Sequence, residues 1–197
     1  MKELKYTIES REFQKITIDG ETTYEAYYLH DYYPVKHFSD VCKNIKNVRV
    51  RLYDFKDGRR TMMDDFKKFP LDETLEKSEY ILVNIPASTK VKTQIRFRKF
   101  MTEYSSFLDI DNGYDVIDVT DHEEVKGDTS INRLQYFEIN KKRIRNKRVI
   151  LIDDVKTTGT TFRQVADELM MLGALEVIGC FYCQTIDYRD EIDFELL

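Results

Sequence analysis

The chain has 197 residues, of which 42% are hydrophobic and 34% are charged, a balance suited to one soluble domain with a sizeable core. Its net charge of −5 argues against a general nucleic-acid-binding surface, because a phosphate backbone requires a positive footprint. No run approaches the roughly 18 apolar residues of a membrane span, and three cysteines imply no disulfide framework, so a cytoplasmic protein is expected.

The first part of the chain is predicted to be rich in β-structure. Residues 14–28 alternate between apolar and polar around Asp19-Gly20, a strong hairpin signal. We therefore predict an N-terminal β-rich hood over residues 1–35 and an α/β core over residues 36–197. At the start of the core, the pattern favours a short helix over residues 37–46, a strand over 48–52 and a helix over 60–69.

Apolar strands and amphipathic helices alternate through the rest of the core. Strands are predicted over residues 80–85, 114–119, 149–152 and 177–181, with helices over 92–108 and from Phe162. The polar stretch 121–130 is predicted to be a loop or mobile flap. Nearly continuous apolar strands of this kind indicate an α/β fold with a parallel sheet covered by helices on both faces.

Cys180 and Cys183 have the CxxC spacing of metal and redox sites. Neither further ligands nor a helix start accompanies them, so we predict buried strand residues without a chemical role.

An acidic pair follows the apolar strand 149–152. Asp153 and Asp154 are expected at the carboxyl edge of the sheet, where ligands usually bind. Two carboxylates there can accept hydrogen bonds from vicinal hydroxyls, or from water around Mg²⁺, which needs only one or two protein carboxylates. They are therefore candidate catalytic and metal-binding residues.

A loop of hydroxyl side chains around one glycine comes next and leads into a helix. Its residues are Thr157, Thr158, Gly159, Thr160 and Thr161. Threonine hydroxyls, close backbone approach at glycine and the helix N-terminus all suit a phosphate dianion. Together with the acidic pair, the loop suits a ribose 5-phosphate. The structural alternative is an acidic turn whose threonines cap a helix.

The segment 149–161 resembles the signature of type I phosphoribosyltransferases that binds phosphoribosyl pyrophosphate (PRPP). The form Asp-Asp-Val-x-Thr-Thr-Gly is most similar to the ComF-like group, and the residues Phe55-Lys-Asp-Gly-Arg also look like that group's early lysine motif, which makes Lys56 a candidate. Looser similarity extends over about residues 45–185. The resemblance implies a type I phosphoribosyltransferase-like fold, use of Mg²⁺ and a homodimer.

The resemblance also implies a pyrophosphate-binding loop after the strand 80–85. Ala87, Ser88, Thr89 and Lys90 occupy its position. Lys90 and Arg96 are then candidate catalytic cations for the departing pyrophosphate. The basic run 141–148 is predicted to be a solvated connection, with contact to an anionic partner as the alternative. His122 is predicted to be a surface residue rather than a base.

Two features depart from the family pattern. The chain lacks the N-terminal cysteine-rich zinc module that ComF-like proteins often carry. Thr157 also stands where purine-salvage members usually have an acidic residue, which argues against a hypoxanthine-guanine type of enzyme.

Three functions remain open from the sequence. The preferred one is Mg²⁺-dependent transfer of phosphoribose from PRPP to a nucleobase-like or amine acceptor with release of pyrophosphate. The second is a regulatory or ComF-like accessory protein that binds PRPP or a nucleotide without turnover. The third is a nucleotide-processing effector or hydrolase on the same scaffold. The residues do not identify the acceptor.

Overall fold

The computed structural model describes residues 14–19, 22–69, 77–123 and 131–186. In chain order, the strands are β1 (Gln14–Ile18), β2 (Tyr24–Tyr32), β3 (Tyr80–Asn84), β4 (Asp111–Asn112), β5 (Ile117–Val119), β6 (Phe137–Ile139), β7 (Arg148–Lys156) and β8 (Glu176–Thr185). The α-helices are α1 (Lys43–Lys56), α2 (Met63–Phe66), α3 (Lys90–Leu108), α4 (Lys141–Ile144) and α5 (Thr160–Met171). Short 3₁₀ turns span Lys77–Glu79 and Arg133–Tyr136.

Six strands form one sheet in the order β1-β2-β8-β7-β3-β4. Every neighbouring pair is parallel except β1 and β2, which form the predicted N-terminal hairpin. The α/β architecture with a mainly parallel sheet is therefore confirmed. Because β2 pairs with β8, the hairpin extends the main sheet at its edge.

The central strands are apolar because both faces of the sheet are covered. Alternate residues of β7 point to opposite sides, so Val149 and Leu151 pack with α5, whereas Ile150 and Ile152 pack with α1 and α3. Each buried leucine-sized side chain contributes about 2 kcal/mol through burial. The two apolar clusters hold β7 rigidly in the middle of the sheet.

The strand predicted over residues 48–52 is wrong, because this segment lies within helix α1. Val48, Val50 and Leu52 alternate as in a strand, but the buried residues follow the helical period: Ile45, Arg49, Leu52 and Phe55. Arg49 belongs to the buried face because its guanidinium donates to the carbonyl oxygens of Tyr33 at 2.8 Å and Phe38 at 2.7 Å. A buried arginine on this face concealed the helical pattern in the sequence.

Three other predicted elements need correction. The helix expected over 37–46 begins only at Lys43, and the one expected over 60–69 is limited to Met63–Phe66. The strand expected over 114–119 is β5, which pairs antiparallel with β6 in a separate two-stranded sheet. The backbone N–H of Gly113 donates to Leu82 O at 2.7 Å, and the chain then turns away from the main sheet.

Several smaller predictions can also be compared with the structure. Cys180 and Cys183 are buried in β8, as expected. Of the predicted flap 121–130, residues 124–130 lie outside the described part. Within the described ranges, no helix has the length and apolarity needed to cross a membrane.

Candidate functional site

The candidate site lies where β3 ends beside β7. The pairing of these strands stops at Asn84 and Ile152, and the N–H of Ile85 then donates to Ile152 O at 2.9 Å. β7 continues alongside β8 as far as Lys156. Asp153 and Asp154 therefore stand at the carboxyl edge of the sheet, next to the loop that follows β3.

Asp154 is a buried carboxylate held between two cations. Lys56 Nζ lies 3.5 Å from its Oδ1, and Arg96 Nη1 lies 3.3 Å from its Oδ2. Lys56 is the last residue of α1 and Arg96 lies in the second turn of α3, so two helices deliver charge to one point. A buried carboxylate needs such partners, since an unpaired charge would be costly to bury. The structure thus brings together three of the predicted site residues.

Asp153 retains some accessible surface but is in a different electrostatic environment. Desolvation by the surrounding protein, followed by the neighbouring charge of Asp154, raises the pKa of Asp153 to about 8. The backbone N–H of Asp154 donates to Asp153 Oδ1 at 2.7 Å and acts in the opposite direction. The two carboxylates are thus electrostatically coupled, and ionisation of Asp153 is favoured by any cation that binds beside it.

The Thr/Gly loop connects β7 to the N-terminus of α5. Gly159 has φ +80°, in the left-handed region that favours glycine, and is the N-cap residue of α5. Thr157 and Thr158 are exposed, and the hydroxyl oxygens of Thr158 and Thr160 lie 2.9 Å apart. Thr161 occupies the first turn of α5. The loop presents hydroxyls at the N-terminus of a twelve-residue helix whose N-cap residue is a glycine and therefore supplies no side-chain cap.

The N-terminal hairpin closes one side of this loop. A methyl group added at Gly159 would lie 3.3 Å from Ile18 Cγ2 and 3.4 Å from Lys156 Cε. Arg163, in the first turns of α5, donates from Nη1 to Asp19 O at 3.0 Å. The hairpin therefore contacts the predicted phosphate loop directly.

The predicted pyrophosphate loop is held by its own hydrogen bonds. Ala87 N–H donates to Thr93 Oγ1 at 3.0 Å, and Thr89 Oγ1 caps α3 by accepting from Lys92 N at 3.1 Å. Ser88 O accepts from His122 N–H at 3.0 Å. The loop is therefore ordered by contacts with α3 and with the segment after β5.

Lys90 is the predicted site residue that the structure does not bring to the acidic pair. Its Nζ lies 2.6 Å from Asp118 Oδ2, and its backbone N–H donates to Asp121 Oδ1 at 2.8 Å. The Lys90 side chain is 61% exposed. This ion pair raises the pKa of Lys90 and lowers the pKa of Asp118. An anionic ligand at the start of α3 would therefore have to compete with the carboxylates of Asp118 and Asp121 for Lys90.

Sequence reasoning missed two residues beside the site. Asn84 ends β3 and is 1% exposed, yet within the described part neither of its side-chain amide atoms has a hydrogen-bond partner. Lys156 is partly buried, and desolvation lowers the pKa of its ammonium group. Both could have been found from the sequence, because each is a polar residue at the end of a mainly apolar strand.

The arrangement offers hydroxyls, a helix N-terminus and two carboxylates, but few protein ligands for a metal. No group of three or more His, Cys, Asp or Glu side chains in the described ranges could hold an ion. The donor set still suits Mg²⁺, which usually binds one or two carboxylates together with phosphate oxygens of a substrate. Asp153 and Asp154 would be those carboxylates.

The second half of the chain is similar to a known family. Residues 99–196 match the model of a family described as the phosphoribosyl transferase domain. This range contains the acidic pair, the Thr/Gly loop and α5, whereas β3 and the pyrophosphate loop precede it. None of the curated proteins matches the chain.

Some solved structures are distantly similar. A hypoxanthine-guanine-xanthine phosphoribosyltransferase is 14% identical with a TM-score of 0.31, over 69% of this chain and 76% of its own. The alanine and glutamic acid mutants from a study of an invariant aspartic acid in HPRTs are each 12% identical with a TM-score of 0.32, over 73% of this chain and 79% of theirs. Similarity at this level assigns no residue of the site.

Proposed function

We propose that the chain is a type I phosphoribosyltransferase, a Mg²⁺-dependent enzyme that transfers phosphoribose from PRPP to a nitrogen nucleophile; the match of residues 99–196 to the phosphoribosyl transferase domain supports this. The nitrogen forms a bond to C1 of the ribose while the bond from C1 to the pyrophosphate oxygen breaks. Pyrophosphate leaves with the electron pair, and the nitrogen releases a proton. Atoms and charge balance without any oxidant or further co-reactant.

One observation carries this proposal above the others. Asp153 and Asp154 lie at the carboxyl edge of the sheet between the loop after β3 and the Thr/Gly loop before α5. PRPP has a diol flanked by a pyrophosphate and a 5-phosphate, so its groups match this order. The acidic pair would accept hydrogen bonds from the ribose hydroxyls, and the loop of residues 157–161 would hold the 5-phosphate at the helix N-terminus.

The protein's main contribution would be positioning and charge stabilisation. The transition state of such a transfer resembles an oxocarbenium ion, so little covalent work is needed. Holding the sugar at both ends aligns C1 with the incoming nitrogen. Mg²⁺ bound at Asp153 and Asp154 would neutralise charge on the pyrophosphate.

Arg96 and Lys56 are proposed to act from the ribose end of the site, where they would stabilise the charge that develops on the pyrophosphate oxygen leaving C1. Both already lie at Asp154, and the Arg96 side chain is only 14% exposed, so its charge is poorly screened by solvent. Lys90 would contribute after exchanging Asp118 for the substrate, and Ala87, Ser88 and Thr89 would supply backbone and hydroxyl groups of the pyrophosphate loop.

The direct test is release of pyrophosphate from PRPP and Mg²⁺ with and without a panel of nucleobases and amines. Release that depends on an acceptor supports the transferase. Release without any acceptor would instead indicate a hydrolase, and absence of PRPP binding would overturn the proposal. Pyrophosphate is measured enzymatically, and PRPP binding is measured separately by calorimetry.

A second function is favoured by the position of Lys90. Because Asp118 holds this lysine away from the acidic pair, the pocket would bind PRPP with one fewer cation for the leaving group. A regulatory or ComF-like accessory protein would behave in this way, binding PRPP tightly without release. The ComF-like grouping and a homodimer accompany the proposal on the basis of the sequence resemblance, and a cytoplasmic location accompanies it on the basis of composition.

A further inference from the structure

A second charged cluster lies beside the proposed PRPP site, on the side of β8 and β2. Its centre is Asp65 in α2, which is 3% exposed. Three cations surround this carboxylate: Arg51 Nη1 at 3.4 Å, Arg60 Nη2 at 3.5 Å and Lys68 Nζ at 3.7 Å. Three cations face one carboxylate, so the cluster retains surplus positive charge.

The cations contact Asp65 loosely and remain accessible. All three distances lie well above those of a short charge-assisted hydrogen bond. The side chains of Arg51 and Arg60 are 44% and 36% exposed, respectively. Both guanidinium groups are therefore accessible to an anion from solvent.

Two buried polar atoms next to the cluster have no hydrogen-bond partner in the described part of the chain. They are Tyr182 OH on β8 and His30 Nε2 on β2. The two rings lie 4.9 Å apart, and Tyr182 is completely buried. Burial raises the pKa of Tyr182 and lowers the pKa of His30 to about 4, so both are neutral near pH 7. Unpartnered polar atoms are rare inside proteins and indicate a missing ligand or water.

The cluster adjoins the acidic pair rather than forming a remote surface feature. Burial raises the pKa of the Cys183 thiol, and both Asp154 and Asp65 raise it further, so this one thiol lies within electrostatic range of both carboxylates. Arg51 and Lys56 also lie on the same helix, five residues apart, which corresponds to about 7.5 Å along its axis. Helix α1 therefore supplies one cation to each of the two carboxylates, Arg51 to Asp65 and Lys56 to Asp154.

We propose that Arg51 and Arg60 bind an anionic substituent of the acceptor, so that the acceptor class is a carboxylate-bearing amine or base. This inference rests on the proposed phosphoribosyl transfer and specifies its second substrate. Two arginines are suited to a carboxylate because the planar guanidinium can donate two parallel N–H bonds. Asp65 is the carboxylate with which the bound anion would compete for both arginines.

Matched pairs of probes test this proposal by binding alone. The pairs are anthranilate and aniline, orotate and uracil, and nicotinate and nicotinamide. Binding is measured by calorimetry with PRPP present and Mg²⁺ omitted, so that turnover does not interfere. We expect the carboxylated member of at least one pair to bind about tenfold more tightly or better, as one charge-assisted hydrogen bond would give. Equal affinities within every pair, or no binding of any carboxylated probe, would overturn the proposal.

Variants separate ligand binding from a structural role. Arg60→Gln should remove most of the preference for the carboxylated probe, whereas Arg59→Gln should preserve it, because Arg59 pairs with Asp54 and Asp57 at the surface. Asp65→Asn should increase the preference, since it removes the competing carboxylate. If the cluster had a purely structural role, Asp65→Asn would show no increase in the preference for the carboxylated probe. Thermal unfolding of each variant identifies any that fail to fold. If Asp65→Asn fails to fold, the comparison of Arg60→Gln with Arg59→Gln still tests the proposal, because both side chains are partly exposed.

PRPP binding is measured separately on the same proteins, with Mg²⁺ present and no acceptor added. If the wild-type protein does not bind PRPP, the proposed transferase is rejected and the acceptor site with it. Normal PRPP binding with no discrimination between the paired probes would reject the acceptor site alone.

Discussion

The two ends of the proposed PRPP site differ in what occupies their charged groups. At the ribose end, Lys56 and Arg96 already converge on Asp154, although they come from separate helices. At the pyrophosphate end, Asp118 and Asp121 hold the side chain and backbone N–H of Lys90. The first end is assembled before a ligand binds, whereas the second must exchange protein carboxylates for phosphate. Binding energy at the second end is thus reduced by the contacts that are lost.

The largest effect is expected at the ribose end, from Asp154→Asn. Loss of the charge removes the partner of Lys56 and Arg96 and one proposed contact to the ribose hydroxyls, so kcat/KM should fall by about a thousandfold. Steady-state pyrophosphate release is the measurement. Asp115→Asn, an exposed carboxylate paired with Arg143, is the matched control and should retain activity. Unchanged turnover in Asp154→Asn would contradict its assigned role.

The comparison between the two ends is tested by Arg96→Gln and Lys90→Gln. Arg96 is poorly exposed and already in place, so its loss should lower kcat about a hundredfold. Lys90 is exposed and engaged elsewhere, so its loss should cost about threefold. Both variants are compared at saturating PRPP. If Lys90→Gln lowered kcat as much as Arg96→Gln or more, Lys90 would have to leave Asp118 when PRPP binds. The inferred difference between the two ends would then be wrong.

Gly159→Ala and Gly173→Ala separate backbone strain from ligand binding. Both glycines have positive φ, +80° and +102°, so each alanine should destabilise the fold by about 1 kcal/mol. Only Gly159 lies in the predicted phosphate loop, so only its variant should also weaken PRPP binding. Urea unfolding gives the stabilities, and calorimetry gives the affinities. Equal PRPP affinities in the two variants would argue against a phosphate role for this loop.

The remaining prediction concerns Asp153 and the pH dependence of stability rather than activity. Because its folded pKa is raised to about 8, the stabilising contribution is complete below the unfolded value of about 3.9 and is lost as the pH rises through 8. Asp153→Asn cannot ionise, so its melting temperature relative to wild type should increase between pH 5 and pH 9. Parallel pH profiles for the two proteins would contradict the raised pKa. Asp115→Asn again provides the control.

Much of the fold could be predicted because its central elements have strong local patterns. Strands β3, β7 and β8 are apolar runs bounded by clear breaks, and α3 and α5 have regular helical spacing. Helix α1 was missed over residues 48–52, since its buried face includes Arg49, which local patterns assign to solvent. β4 has only two residues, too few for any periodicity.

The site was predictable in part for the same reason. The acidic pair, the Thr/Gly loop and the start of α5 are consecutive in the chain, so one motif contains them all. The pairing of Lys90 with Asp118 was not foreseeable, because it depends on where the small β5–β6 sheet places Asp118.

The sequence by itself determined the strand, the acidic pair, the Thr/Gly loop and the helix that follows, since these depend on local patterns of burial and backbone geometry. Only the tertiary structure decided which cations face Asp154 and which are held elsewhere. Lys56 and Arg96 reach that carboxylate through the packing of α1 and α3 against the sheet. Contacts between residues so distant in sequence have no local signature, because they arise from how whole elements bury their apolar faces.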